Sequence, residues 1–258
     1  MDLNKKVVKI YLSPANHHKP YANGATEKSQ MDKLAPCIKD ILENRYIGAE
    51  VYLPTVFAAN GQYNGRPEEA KRLGCDVYNA LHTNAESNSA TGGKATGACG
   101  FYHPDYQLSK TIATNAVQEL NKICPFKSNR AARPAIYAQG LHINLGELRE
   151  SAALGMCPVL IEHEFHDRLQ GADWIVNHIE EIAEADAKAL AKALGLRRKG
   201  DVNDDGEVDN LDAAAVLKYD AGLTELPPDQ LAAADINGDG TVDNLDAAAI
   251  LKHDAGII

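Results

Sequence analysis

Three scarcities bound what this chain can be. Its 258 residues hold only 5 cysteines, Cys37, Cys75, Cys99, Cys124 and Cys157. An odd number at irregular spacing builds neither a disulfide framework nor a zinc knuckle and reads as mostly buried thiols. No apolar run is long enough to span a bilayer, and the opening MDLNKKVVKI lacks the apolar stretch of a secretion signal. If the protein is exported, its signal has been removed from this sequence. Positive charge is almost missing from the end: from Asp201 onward 14 acidic residues face 2 lysines, a local −12 against −10 for the whole chain, which leaves the first 200 residues at +2. That imbalance argues against nucleic acid as a partner of the tail and for metal cations inside it.

What is present supports two unequal domains, since 45% hydrophobic content over this length buries one sizeable core and leaves a small module over. Apolar β-rich runs (KVVKIYLS, AEVYLP, CDVYNALHT, CPVLIEHEF) alternate with helical ones (EKSQMDKLAPCIKDILENRY, SKTIATNAVQELNKI). That alternation predicts an α/β fold, a mainly parallel sheet with helices on both faces. A long helical stretch, GADWIVNHIEEIAEADAKALAKALGL, has apolar residues at three- and four-residue steps and closes this part. The expected boundaries are a first domain over 1–197, a short linker over 198–200 and a small all-α module over 201–258.

The tail says nearly the same thing twice, DVNDDGEVDNLD from Asp201 and DINGDGTVDNLD from Asp235. A calcium loop of the EF-hand type offers oxygens at positions 1, 3, 5, 7, 9 and 12 with glycine at 6. The first copy supplies Asp201, Asn203, Asp205, Glu207, Asp209 and Asp212 around Gly206; the second supplies Asp235, Asn237, Asp239, Thr241, Asp243 and Asp246 around Gly240. Two complete matches at one offset, each running into an apolar helix, set aside a pair of metal-free acidic turns. Position 12 is aspartate where the standard loop has glutamate, which predicts weaker affinity. The tandem strongly resembles a type I dockerin, the module by which secreted enzymes of anaerobic bacteria plug into the cohesins of a scaffoldin. The resemblance implies two structural calcium ions, a secreted, extracellular, cellulosome-associated protein, and a cohesin partner met by Asn210, Leu211 and Lys218 and again by Asn244, Leu245 and Lys252. The best-known dockerins carry Ser-Thr where this chain has Asn-Leu, which implies a different cohesin specificity. Near-identical faces imply docking in two orientations.

The first domain carries its own chemistry-bearing stretches: IYLSPANHHKPYANGATEKSQM, ALHTNAES and VLIEHEF. Each places a histidine or a carboxylate at or after the carboxyl end of a strand, where an open α/β sheet gathers groups into one crevice. A histidine after a strand is most often an ordinary loop histidine, and a glutamate opening a helix is most often a charge favoured by the helix dipole. Together, two histidines, a glutamate and an open fourth position make the ligand set of a hydrolytic zinc site. Their order, a His, a Glu ten positions on, HTNA, then VLIE, resembles the zinc-dependent N-acetylmuramoyl-L-alanine amidases of the amidase 3 family over roughly residues 5 to 195. The resemblance implies one catalytic zinc on His17, Glu27 and His82, with Glu162 as the catalytic carboxylate and peptidoglycan as substrate.

SPANHH is one residue longer than the family's turn, so His18 competes with His17. Glu164 competes with Glu162, because strand alternation puts both on one face. For substrate contacts the polar loop after His82, with Asn84, and the segment GLHINLGELRES, with Arg149 facing a peptide carboxylate, are the candidates, and His142, His163 and His166 are possible lining. The expected state is a monomer without nucleic acid or a membrane span. Other readings left open are a different zinc peptidase or amidase on the same scaffold and an inactive wall-binding module.

Overall fold

The computed structural model describes residues 7–56, 59, 62–86, 91–126, 128, 130–134 and 145–257. By contacts the chain divides into two compact units, 1–42 with 49–195, and 43–48 with 196–258.

The first unit is built on a mixed, mostly parallel sheet. β1 (Val8–Pro14), β3 (Ala49–Tyr52), β4 (Val77–Asn84) and β7 (Cys157–Phe165) run parallel, with β5 (Cys99–Tyr102) antiparallel to β7 and β6 (Arg133–Pro134) at the edge; the order is β3-β1-β4-β7-β5-β6. β1, β4 and β7 are almost wholly buried, which explains their unbroken apolar runs. Helices cover both faces. On one face Tyr11, Tyr78, Ala80 and Leu160 pack with Ala70 of α2 (Arg66–Leu73) and Leu148 of α4 (Gly146–Ala153). On the other, α3 (Gln107–Ile123) comes so close to β5 that a Cβ on Gly100 would sit 2.7 Å from the Ala113 carbonyl oxygen. α1 (Glu27–Arg45) follows β1.

The long helical stretch is two helices, α5 (Leu169–Asn177) and α6 (Ile179–Leu194). The break is at His178, whose φ of −129° leaves the helical region. Its Nδ1 lies 2.9 Å from the Trp174 carbonyl oxygen, the acceptor that a continuous helix would give to the His178 N–H. The five cysteines are free thiols, with Cys75, Cys99 and Cys157 buried.

In the second unit the two-residue strands β2 (Tyr46–Ile47) and β8 (Arg197–Arg198) pair antiparallel. α7 (Asn210–Asp220), α8 (Pro228–Ala234) and α9 (Asn244–Asp254) surround a small core of Val202, Val208, Val216, Ala234, Ala247 and Ile250. Both α7 and α9 begin with a capping box, Asp209 with Asp212 and Asp243 with Asp246, so two of the repeated loop positions also start the helices. No helix among the described residues is long and apolar enough to cross a membrane.

Candidate metal centre and docking module

β1, β4 and β7 all end on one side of the sheet, and the groups predicted from the sequence meet there. His17 lies in the loop after β1, Glu27 opens α1, His82 is near the end of β4, and Glu162 is its register partner on β7. The loop and the helix are locked together, because the carbonyls of Lys19 and His17 accept the otherwise unpaired N–H groups of Glu27 and Lys28 at 3.2 and 2.9 Å. One ligand atom from each of His17, Glu27 and His82 falls within 4.8 Å of the others. With Glu162, Lys19, Thr83, Asn84, Glu86 and His166 they line a cavity of about 340 Å³.

Each ionisable group has a distinct environment. Burial lowers the pKa of His17 and so favours the neutral ring that can ligate a metal. Burial also pulls His82 down, but Glu147 and Glu27 on its two sides outweigh it and hold the ring well above the ordinary histidine range. Its Nδ1 is 3.2 Å from Glu27 Oε1 and its Nε2 is 2.9 Å from Glu147 Oε2. Glu27 is raised by burial and lowered more by His82 and by the Thr83 N–H, which donates to Oε1 at 2.9 Å, so it stays ionised. Glu162 is the reverse case. Burial pushes its carboxyl up to about 7, and its Oε2 is fully buried with no hydrogen-bond partner. A carboxylate held at that pKa beside a two-histidine, one-glutamate cluster is poised to accept a proton near neutral pH. The donor set fits zinc in number, type and proximity, and the unpartnered Glu162 oxygen fits a water or substrate group beside it.

The competing residues go elsewhere. His18 lines a different cavity, of about 530 Å³, with Asn16, Lys28 and Arg66. Glu164 does not follow Glu162 into the metal cavity: the register slips between His82 and Asn84, and its Oε2 accepts the Gly97 N–H at 2.7 Å. That bulge breaks the strict alternation on which the rivalry rested. His163 points to the opposite face, its Nδ1 2.7 Å from the His82 carbonyl oxygen and its Nε2 2.6 Å from Asp186 of α6. His166 does line the cavity, stacked on Tyr21 and bonded through Nδ1 to Thr83 Oγ1 at 2.9 Å. Asn84 lines it as well. Arg149 does not, because it lies on the solvent side of α4, paired with Glu150 at 3.0 Å, while Glu147, Leu148 and Ser151 take the buried side. His142 lies outside the described residues. Glu147 and Asp186 carried no sequence signal of a site role, since each reaches its partner only through the packing of a helix on the sheet.

In the second unit, Asp201 accepts the N–H groups of Asp205 and Gly206 at 3.1 and 3.0 Å, and Asp235 accepts those of Gly238 and Gly240 at 2.9 and 3.0 Å. Gly206 and Gly240 take φ values of 95° and 87°, a left-handed turn that other residues resist. Asp212 and Asp246 are fully buried at the twelfth positions. Asn210, Leu211 and Lys218, with their counterparts Asn244, Leu245 and Lys252, are exposed, Leu211 at 59% and Leu245 at 61%. Two further leucines, Leu217 and Leu251, are exposed on the same helices.

Residues 199–253 match the family model described as the dockerin type I domain. The first unit has the fold of the N-acetylmuramoyl-L-alanine amidases. Amidase AmiC2 of Nostoc punctiforme is similar at a TM-score of 0.57 and 19% identity, over 73% of this chain and 97% of that one. The amidase of Clostridium difficile 630 is similar at 0.57 and 18%, over 74% and 98%. The catalytic domain of CwlV from Bacillus (Paenibacillus) polymyxa var. colistinus is similar at 0.54 and 17%, over 74% and 99%. Among curated protein sequences nothing matches the chain.

Proposed function

We propose that the first unit is a zinc-dependent N-acetylmuramoyl-L-alanine amidase and that the second is a calcium-held dockerin that attaches it to a cohesin of a cellulosome-type scaffoldin outside the cell. One observation carries the enzymatic reading: His17, Glu27 and His82 converge within 4.8 Å in a polar cavity that is also lined by Glu162, a half-buried carboxyl raised to about 7 and unpartnered at Oε2. His17, Glu27 and His82 would hold one zinc ion. When bound, zinc supplies Lewis acidity toward water and the scissile carbonyl. Glu162 takes the proton of the attacking water and delivers it to the leaving L-alanine nitrogen. The bond broken is the amide between the lactyl group of N-acetylmuramic acid and L-alanine, giving a lactyl carboxylate and a stem peptide with a free amino terminus. Asn84 and Lys19 line the cavity wall and would contact the bound substrate.

In the second unit the oxygen-only donor sets and the turn glycines at 206 and 240 suit a hard cation, and two calcium ions would hold the loops. The paired patches around Leu211 and Leu245 are the proposed cohesin-binding faces.

The test is digestion of purified peptidoglycan by the full chain with zinc and calcium present, followed by mass spectrometry. The expected products are lactyl-ended glycans and peptides beginning with L-alanine, and Glu162→Gln lowers turnover by about 10²–10⁴-fold with zinc retained. New amino termini inside the stem peptide would instead indicate a peptidase on this scaffold.

A further inference from the structure

Glu147 stands in the first turn of α4 with 5% of its surface exposed, and it makes three hydrogen bonds through two oxygens. Oε1 accepts from Ser13 Oγ at 2.6 Å and from Tyr78 OH at 2.7 Å, and Oε2 faces His82 Nε2 at 2.9 Å. Ser13 and Tyr78 are both fully buried on β1 and β4. Ser13 Oγ itself accepts from Arg66 Nη1 at 3.1 Å, so its proton is directed to Glu147. A carboxylate receiving two hydroxyl protons on one oxygen has only acceptor capacity left on the other. The His82 Nε2 must therefore carry the proton it shares with Oε2, and Nδ1, 3.2 Å from the proposed ligand Glu27, is the nitrogen on which a metal would take the place of the proton shared with Glu27.

Taking a carboxylate out of water is costly, and an apolar side chain would fill this position against the sheet at less expense. What Glu147 adds is a fixed direction for one imidazole. We propose that Glu147 is a positioning residue: clamped by Ser13 and Tyr78, it sets the tautomer and ring orientation of His82 so that a metal is taken through Nδ1, beside His17 and Glu27. This deepens the zinc reading above and rests on it. In metal centres generally, such outer carboxylates are worth about 10–100-fold in metal affinity.

The experiment uses the full chain with calcium present and reads zinc affinity by competition with a chromogenic chelator. Long-range proton–nitrogen NMR on histidine-labelled protein then reads the His82 tautomer. Glu147→Gln is expected to weaken zinc about 10–100-fold and to lose the signature of zinc on Nδ1 with a protonated Nε2. Ser13→Ala, a gentler change that removes one clamp, is expected to move both readouts in the same direction by less. Glu150→Gln, on the exposed side of the same helix where it meets Tyr63, is expected to move neither. A lower melting temperature in Glu147→Gln with unchanged zinc affinity would reduce Glu147 to a fold-stabilising residue and overturn the proposal, as would zinc on Nε2 in the wild type. Wild-type protein that binds no zinc at all would overturn the zinc reading itself, and the proposal with it.

Discussion

In the second unit every proposed donor of a calcium loop lies within twelve consecutive residues, Asp201 to Asp212 or Asp235 to Asp246, whereas in the first unit the proposed zinc site draws on positions 17, 27, 82 and 162. The apolar support of the loops is small, a core of Val202, Val208, Ala213, Val216, Ala234, Ala247 and Ile250 flanked by Leu226, Ile236 and Val242. The strand ends of the first unit are held by a six-stranded sheet whose β1, β4 and β7 are almost wholly buried, and by its helices. A locally encoded metal site is thus expected to depend on its metal to be a structure, and a dispersed one on a structure to be a metal site.

The sharpest way to break this contrast is to remove calcium. With zinc replenished, a calcium-selective chelator is expected to unfold residues 201–258 and leave the first unit folded, read by loss of the α7 and α9 amide signals while those of β1, β4 and β7 persist. Loss of both sets together would make the two units one cooperative body. The next largest effect separates neighbouring histidines. His17→Ala is expected to weaken zinc by more than about 100-fold, the upper cost of disturbing an outer partner, whereas His18→Ala, in the other cavity, leaves it unchanged.

A third prediction concerns Glu162, whose folded pKa of about 7 lies above its ordinary value of 4.5. Below 4.5 both folded and unfolded chains hold the proton. Between 4.5 and 7 only the folded chain holds it, so stability contributed at low pH is lost as the pH rises through this window. Glu162→Gln never ionises, and zinc-depleted variant protein should gain on wild type by up to about 3 kcal/mol between pH 4 and pH 8 in urea unfolding. A constant difference across that range would place Glu162 in water. The smallest effect lies in the tail, where Asp204 has a φ of 64° and its counterpart in the second loop is Gly238, at 75°. Asp204→Gly should stabilise the calcium-bound module by no more than about 1 kcal/mol, seen as a slightly higher melting temperature.

These differences also explain what the sequence could and could not disclose. The calcium loops, their helices and the repeat were legible because spacing along the chain is their geometry. The strands bearing His82 and Glu162 were legible because burial on both faces leaves unbroken apolar runs. The ring of His178 divides one predicted helix into two by a side-chain bond that periodicity does not carry. The bulge beside His82 leaves Glu162 on the cavity and turns Glu164 to the Gly97 N–H, and the outward face of α4 took Arg149 away from the cavity. Glu147, 65 positions from His82, is adjacent to it only because α4 packs on the face of β4 that carries Tyr78 and Ala80.

The most direct test of the zinc centre is anomalous scattering at the zinc absorption edge from crystals of the full chain grown with zinc and calcium. The account predicts a single strong peak in the first unit, bonded to His17, Glu27 and Nδ1 of His82, with Glu162 beside it. A peak bound through His18 or Glu164, or no peak near His82, would contradict it.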